Sequence, residues 1–389
     1  MPALAAAPAR RVGCPAVAED GSTDDLIDVR PDERFDERRL ADWLRSRAPE
    51  ELRPSSTGAP ALEGADRPLR VRQFGGGHAN LTYLLRFGDG PEARELVLRR
   101  PPLGPVAPGA HDMRREYRVL SRLWRAYPLA PRAWLHCDDP AVIGAEFFVM
   151  ERRPGVVVRN AVPERFGGGR DPEANRKLSE VVIDTLAALH AVDPAAVGLQ
   201  DLGKPEGFLR RQVRGWAERF ERARTQAVPA ADEVVRWLER ELPASPAPTL
   251  VHNDWKLDNM AVACDDPGRC VAVYDWDMCT LGDPLCDLGT LLSMWTERGE
   301  PPAGSNPMPS QVEGFLGRAD AARRYAVRSG LPLDALGYYV VFGTFKMAVV
   351  LQQIFFRYER GQTQDRRFAG LGAAAADLFR LAGERRRGS

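Results

Sequence analysis

The period of the hydrophobic pattern changes once along this chain, near Arg152, and that change limits the available folds more than any other feature. Before it, residues 69–74, 80–87 and 95–100 form short strand-like runs separated by glycine-rich turns, as in an antiparallel meander. Residues 112–125 return to helical spacing, and two more strands are expected near 132–136 and 145–151. After Arg152 the pattern is helical over 173–192, 207–223 and 231–241. A stretch of short strands and turns occupies 249–280, and helical patterns follow at 284–297, 310–329, 333–358 and 366–381. The expected fold class is α+β, with a β-rich N-terminal lobe over 35–151 and a mainly α C-terminal lobe over 152–389. Asp36 is placed to cap a first helix carrying Leu40, Trp43 and Leu44. Residues 1–34, rich in Ala, Pro, Asp and Arg without any period, read as a flexible tail.

Composition removes several classes of function. Formal charges cancel over the 389 residues, so no general attraction to nucleic acid or an anionic membrane is expected. No run nears the roughly 18 uninterrupted apolar residues of a spanning helix. The Ala-rich N-terminus lacks the basic start and apolar core of a signal peptide, so a cytoplasmic location is expected. The six cysteines include no C-x-x-C pair and are expected as free thiols, with a bridge or metal across the Cys264–Cys270 turn as the alternative. Lysine is confined to Lys177, Lys204, Lys256 and Lys346, so any cationic anchor earlier in the chain must be arginine.

The stretch Leu250-Val251-His252-Asn253-Asp254-Trp255-Lys256-Leu257-Asp258-Asn259 has the H-x-D-x-K-x-x-N spacing of a phosphotransferase catalytic loop. The chemistry accounts for that spacing. A carboxylate, here Asp254, has to stand within hydrogen-bond reach of an attacking hydroxyl. A neutral amide, Asn259, can ligate magnesium without competing for the proton. Lys256 is placed to offset the charge of a transferring phosphate. Read alone, the stretch is equally a polar β-turn with an Asx cap. A second motif tips the balance: the apolar run Val271-Ala272-Val273-Tyr274 delivers Asp275, 16 residues after Asn259, where a second metal ligand is needed. His252 is expected as a structural hydrogen-bond residue, since the loop already has its base. Asp283 and Pro284 look like the cap and first residue of a helix. The apolar neighbours of Asp287 predict a carboxylate turned inward to support the catalytic loop.

The N-terminal half carries the nucleotide candidates. Gly75, Gly76 and Gly77 lie between two strand-like runs with Asn80 just beyond, where backbone N–H groups can approach phosphate oxygens. By itself a triple glycine is only a flexible hairpin. Strand alternation puts Val97 and Arg99 on one face, Val97 to line an adenine pocket and Arg99 to reach the α- and β-phosphates. Glu116, on the following helix, is the natural partner for Arg99; otherwise both are solvated charges. Met150 and Glu151 end a strand at the change of period, a hinge whose backbone can meet adenine. His78, His111, His136 and His190 are scattered and read as surface or satisfied polar residues. The P-loop, dinucleotide-binding and nucleophile-elbow motifs are all missing from the sequence.

At these residues the chain resembles the aminoglycoside phosphotransferase-like (APH) kinase superfamily. Within it, the chain looks most like the kinase module fused to acyl-CoA dehydrogenase in animal acyl-CoA dehydrogenase family members 10 and 11. The resemblance runs over about residues 35–381. Besides the stretches above it includes Arg115-Glu116-Tyr117-Arg118, Leu189-His190-Ala191-Val192-Asp193, Arg211-Gln212-Val213 and Phe342-Gly343-Thr344-Phe345-Lys346. It implies a bilobal protein-kinase-like fold, ATP with Mg2+, and transfer of phosphate to the hydroxyl of a small molecule. The fused relatives suggest, by analogy, a hydroxyacyl group such as a hydroxyacyl-CoA. Two positions depart from the pattern: Asn253 stands where the family usually has Gly, and Arg99 where protein kinases use Lys.

Two other readings stay open. One is an aminoglycoside or amino-alcohol kinase of the same fold, whose cationic acceptor calls for an acidic pocket. The last third instead carries Arg323, Arg324, Arg328, Lys346, Arg357, Arg366 and Arg367. The other is a pseudokinase acting as a binding module, which retention of Asp254, Asn259 and Asp275 argues against.

Overall fold

The computed structural model describes residues 26–52, 68–75, 80–89, 93–104, 111–301, 307–363 and 365–388. The N-terminal lobe is one antiparallel sheet of six strands with a helix against each face. In chain order its elements are β1 (Leu26–Ile27), α1 (Glu37–Arg47), β2 (Leu69–Phe74), β3 (Leu81–Phe87), β4 (Arg94–Arg100), α2 (Met113–Leu123), β5 (Ala133–Cys137), α3 (Pro140–Ile143) and β6 (Phe147–Glu151). The strand order is β1-β2-β3-β4-β6-β5. Asp36 and Asp112 cap α1 and α2 by accepting from the backbone N–H groups of Arg39 and Arg115.

Alternation along β4 divides the lobe. Leu96 and Leu98 join Leu40 and Leu44 of α1 in one apolar cluster. Val97, one step out of phase, joins Met113 and Val119 of α2, Met150 of β6 and the C-terminal core. Arg99 shares that second face, so the pleat carries its side chain toward the other lobe.

Residues 26–34 depart from the expected tail. Leu26 and Ile27 pair with Phe74 and Gln73, covering the edge of β2. The Glu33 carbonyl accepts from buried Arg100 at 2.6 Å and from the Tyr83 hydroxyl at 3.0 Å. Two apolar residues give no readable period, so this segment is recruited by groups that only the folded lobe exposes to it.

The C-terminal lobe runs β7 (Val156–Val157), α4 (Pro172–His190), α5 (Phe208–Ala223), α6 (Pro229–Arg240), β8 (Thr249–Val251), β9 (Met260–Ala263), β10 (Asp266–Val273), β11 (Thr280–Gly282), α7 (Pro284–Met294), α8 (Arg318–Ser329), α9 (Leu336–Glu359) and α10 (Leu371–Arg387). Strands β8 to β11 form the small β insert at 249–282 that holds the catalytic-loop motif, paired as β11-β8 and β10-β9, and β7 from outside the insert adds a third strand beside β9.

Two helices start later than expected. Residues 310–317 form turns, with Gly314 at φ +86° and a Cβ there only 2.1 Å from the Pro172 carbonyl oxygen. Arg366–Phe368 is a single 3-10 turn before α10. Among the described residues, α9 is long and apolar enough to cross a membrane by length and composition, yet 61% of that stretch is buried inside the fold. Cys137, Cys270, Cys279 and Cys286 are free thiols, which excludes a bridge between Cys264 and Cys270, whereas Cys264 is disulfide-bonded, contrary to the free thiol expected there.

Candidate active site

The catalytic-loop motif lies between β8 and β9, and its backbone is held before any substrate is considered. Asn253 sits at φ +66°, the left-handed region that glycine reaches freely and asparagine tolerates better than most residues. That accounts for the family's glycine here and for asparagine as its replacement. The Asn253 amide also donates to the Met278 carbonyl at 2.9 Å.

Asp287, fully buried in the first turn of α7, accepts the His252 and Asn253 N–H groups on separate oxygens at 2.6 and 2.7 Å. It is the inward-turned carboxylate expected from the sequence. Burial would raise its pKa, but the bonds from His190 and the loop N–H groups win and hold it below the ordinary carboxylate value. His252 is likewise buried, with Nδ1 facing the Asp254 N–H at 3.3 Å and Nε2 facing the Tyr274 carbonyl at 2.9 Å. Both of its ring nitrogens are used by the backbone.

Asp254 stands clear of this scaffold with its carboxylate steered from two sides. Asn259 donates to Asp254 Oδ2 at 2.8 Å, and Lys256 Nζ lies 3.1 Å from the same oxygen. Burial would lower the Lys256 pKa, but Asp254 and Asp258 reverse that and raise it, so the lysine stays charged. A backbone bond from Tyr274 to the Asn259 carbonyl (2.8 Å) ties this loop to the residue before Asp275. Asp275 itself is left-handed at φ +65°.

Arg99 crosses from the sheet to meet Asp275. Its guanidinium is 2.5 Å from Asp275 Oδ1 and 3.1 Å from Glu116 Oε1 on α2. Burial pushes Glu116 up to about 8, against the pull of Arg99, while Arg99 keeps Asp275 below its usual value despite burial. With the Asn80 amide turned so that its nitrogen donates to His111 Nδ1 (2.7 Å), its oxygen accepts from Arg99 at 2.9 Å. Val97 and Met150 are direct cross-strand partners on the same sheet face. Glu151, half-buried, pairs with Arg153 through its side chain and donates its N–H to the Arg132 carbonyl at 2.9 Å. Gly75 forms the turn after β2, whereas Gly76, Gly77 and His78 lie outside the described residues.

The profile of the phosphotransferase enzyme family (APH) matches residues 70–324, a span holding both lobes' candidate residues. This chain belongs to that family. Among curated family relatives, acyl-CoA dehydrogenase family member 11 of Gallus gallus is 32% identical over 345 residues, 85% of this chain and 41% of the relative. Acyl-CoA dehydrogenase family member 10 of Mus musculus is 30% identical over 319 residues, 81% of this chain and 29% of the relative. The chain thus spans less than half the length of either. A Ralstonia eutropha crystal structure, provisionally named an aminoglycoside phosphotransferase, is 28% identical with a TM-score of 0.75, covering 91% of this chain and 99% of that one. The fold is the bilobal protein-kinase-like one.

Sequence reasoning missed several residues of the site. His190 is the satisfied polar residue expected of it, and what the sequence did not reveal is its burial and its role in joining Tyr325 (2.6 Å) to Asp287 (3.3 Å). Its place in the Leu189–Asp193 family stretch was the available signal. Asp277 crowds Asp275 and has its pKa raised by burial and by that neighbour. Of the basic residues in the last third, Arg324 and Arg328 are bound to Asp184, Arg323 to Asp320 and Arg367 to Asp365. Lys346 instead reaches the catalytic loop, donating to the Asn253 carbonyl at 2.6 Å.

Proposed function

We propose that this protein is an ATP- and magnesium-dependent kinase that phosphorylates a hydroxyl on a small acyl-type acceptor, with a hydroxyacyl-CoA as the specific candidate. The observation that carries the reading is the 2.5 Å contact between Arg99 of the N-terminal sheet and Asp275 of the C-terminal lobe, beside a loop bearing Asp254, Lys256 and Asn259. A phosphate-binding cation, a metal-type carboxylate and a base-type carboxylate meet there from both lobes. The acyl-type acceptor is supported by the relatives' names, acyl-CoA dehydrogenase family members 10 and 11.

The donor set fits magnesium. The Asn259 amide nitrogen is committed to Asp254, which directs its oxygen away, and Asp275 adds a carboxylate. One or two protein oxygens completed by phosphate oxygens and water is how magnesium is commonly held. No group of three His, Cys, Asp or Glu side chains suited to a metal occurs among the described residues, so this ion would lean on the nucleotide. Bound there, magnesium would neutralise phosphate charge.

The chain's own residues do the rest. Asp254 accepts the proton of the acceptor hydroxyl as its oxygen bonds to the γ-phosphorus. The bond from that phosphorus to the β-bridging oxygen breaks, and ADP leaves. Lys256 and Asn259 fix the carboxylate's direction. Arg99, held by Glu116, turns from Asp275 to the α- and β-phosphates, while Val97 and Met150 offer an apolar wall to adenine.

Asp254→Asn tests the assignment. Transfer from labelled ATP to a hydroxyacyl-CoA should fall by about 10²–10⁴-fold, the usual contribution of a general base. Mg-ATP affinity by calorimetry should be nearly unchanged. Turnover close to that of wild type would overturn the role given to Asp254.

A further inference from the structure

Lys346 is nine-tenths buried in the middle of α9. Its ammonium has three N–H groups, and its one hydrogen-bond acceptor among the described residues is the Asn253 carbonyl. No carboxylate lies within ion-pair distance of it among those residues, unlike Arg323, Arg324 and Arg328, which are bound to Asp320 or Asp184. Burial draws its pKa down, and Asp254 and Asp287 oppose that. An ammonium taken from water with donors unused is costly unless something else supplies acceptors.

A second group beside it has the same deficit. Nζ of Lys346 lies 5.6 Å over the ring of Trp216 on α5. The Trp216 indole N–H is buried and has no hydrogen-bond partner among the described residues. Arg219 stacks on the same ring at 4.5 Å and makes no ion pair among the described residues. Two buried groups with unused N–H donors, the Lys346 ammonium and the Trp216 indole, therefore lie close together, and the first of them bonds the carbonyl of the residue that precedes Asp254, while Arg219 is exposed to solvent. Such a place favours an oxygen bearing full or partial negative charge and repels a cation.

We propose that Lys346 and the indole N–H of Trp216 form an acceptor subsite beside Asp254 that binds an anionic or carbonyl oxygen carried near the reacting hydroxyl, selecting acyl-type acceptors over cationic ones. This rests on the kinase reading above and names what its acceptor must carry. A hydroxyacyl thioester or a free hydroxy acid supplies such an oxygen; an amino alcohol or aminoglycoside brings a positive charge instead.

Calorimetry with Mg2+ and a non-hydrolysable ATP analogue tests the subsite without requiring turnover, using 3-hydroxybutyryl-CoA, 3-hydroxybutyrate and choline as probes. Wild type should bind at least one hydroxyacyl probe and discriminate against choline, and the thioester-to-acid ratio distinguishes a carbonyl from a carboxylate. Lys346→Met should weaken the hydroxyacyl probe by about 10–100-fold, as expected for a lost hydrogen bond to a charged group, and Trp216→Phe by roughly 3–10-fold. Lys346→Arg should recover part of the loss. The analogue's own affinity should be the same in all variants. If Lys346→Met fails to fold, Trp216→Phe decides. Choline bound as well as the hydroxyacyl probes, no probe bound by wild type, or variants that bind like wild type would overturn the subsite and leave the kinase reading standing. Failure of wild type to bind the ATP analogue would overturn the kinase reading itself.

Discussion

Asp287 receives two backbone N–H groups, one on each carboxylate oxygen, and an imidazole from the other side. A carboxylate has acceptors on both oxygens, whereas an amide in its place turns a donor toward one of those N–H groups. The carboxyl's folded pKa is depressed, so its stabilising contribution is present above the ordinary aspartate value and lost as pH falls through the lower folded one. Asp287→Asn should therefore be less stable than wild type at neutral pH and show a flatter loss of stability below about pH 4. Urea titrations across this range check both points, and an acid limb identical to wild type would place the titrating group elsewhere. Asn253 is the complementary residue: its left-handed backbone is fixed between Asp287, Met278 and Lys346, so the direction of Asp254 is set before substrate arrives.

Two helices decide where those residues meet. A Cβ on Gly289 of α7 would lie 2.5 Å from the Tyr339 backbone, and one on Gly343 of α9 would lie 2.7 Å from the Gly289 carbonyl oxygen. Only glycines allow this approach, which brings Asp287 on one helix and Lys346 on the other to opposite ends of the same short loop segment. Gly343→Ala forces backbone apart in a packed core, a change that costs about 1–3 kcal/mol. Urea unfolding should show that loss, and turnover should fall with it, because Lys346 lies one turn further along α9. Unchanged stability would mean that the helices shift without strain.

Across the whole molecule, Arg99 is one of the groups that join the two lobes, and it does so at the candidate site. It leaves a strand of the N-terminal sheet, rests on Glu116 of α2 and reaches Asp275 beyond β10. Arg99→Ala should raise the ATP Michaelis constant strongly, and Arg99→Lys should recover part of it, since a point charge replaces a planar fork. Glu116→Ala should give a milder version of the same change, and the double variant should be clearly less than additive. Steady-state ATP kinetics on the set decide the matter. Full additivity, or a normal Michaelis constant for Arg99→Ala, would remove the pair from the mechanism.

Local spacing determined the two-lobe order, most strands and helices, and the loop from His252 to Asn259, because period, caps and motif intervals are properties of neighbouring residues. It also put Val97 and Arg99 on one face and Asp287 at an inward position of its helix. Three things were decided only by tertiary structure. Residues 26–34 join the sheet because Arg100, Tyr83 and Gln73 need partners that exist only once the lobe has formed. Helix α8 starts at Arg318 because Gly314 is pressed against Pro172, which is 142 residues away in the chain. Lys346 reaches the loop, Trp216 lies under its ammonium and His190 holds the loop's support Asp287, each from a separate helix, and no pattern within a single helix encodes such a meeting: burial and charge at that point depend on how close the helices come.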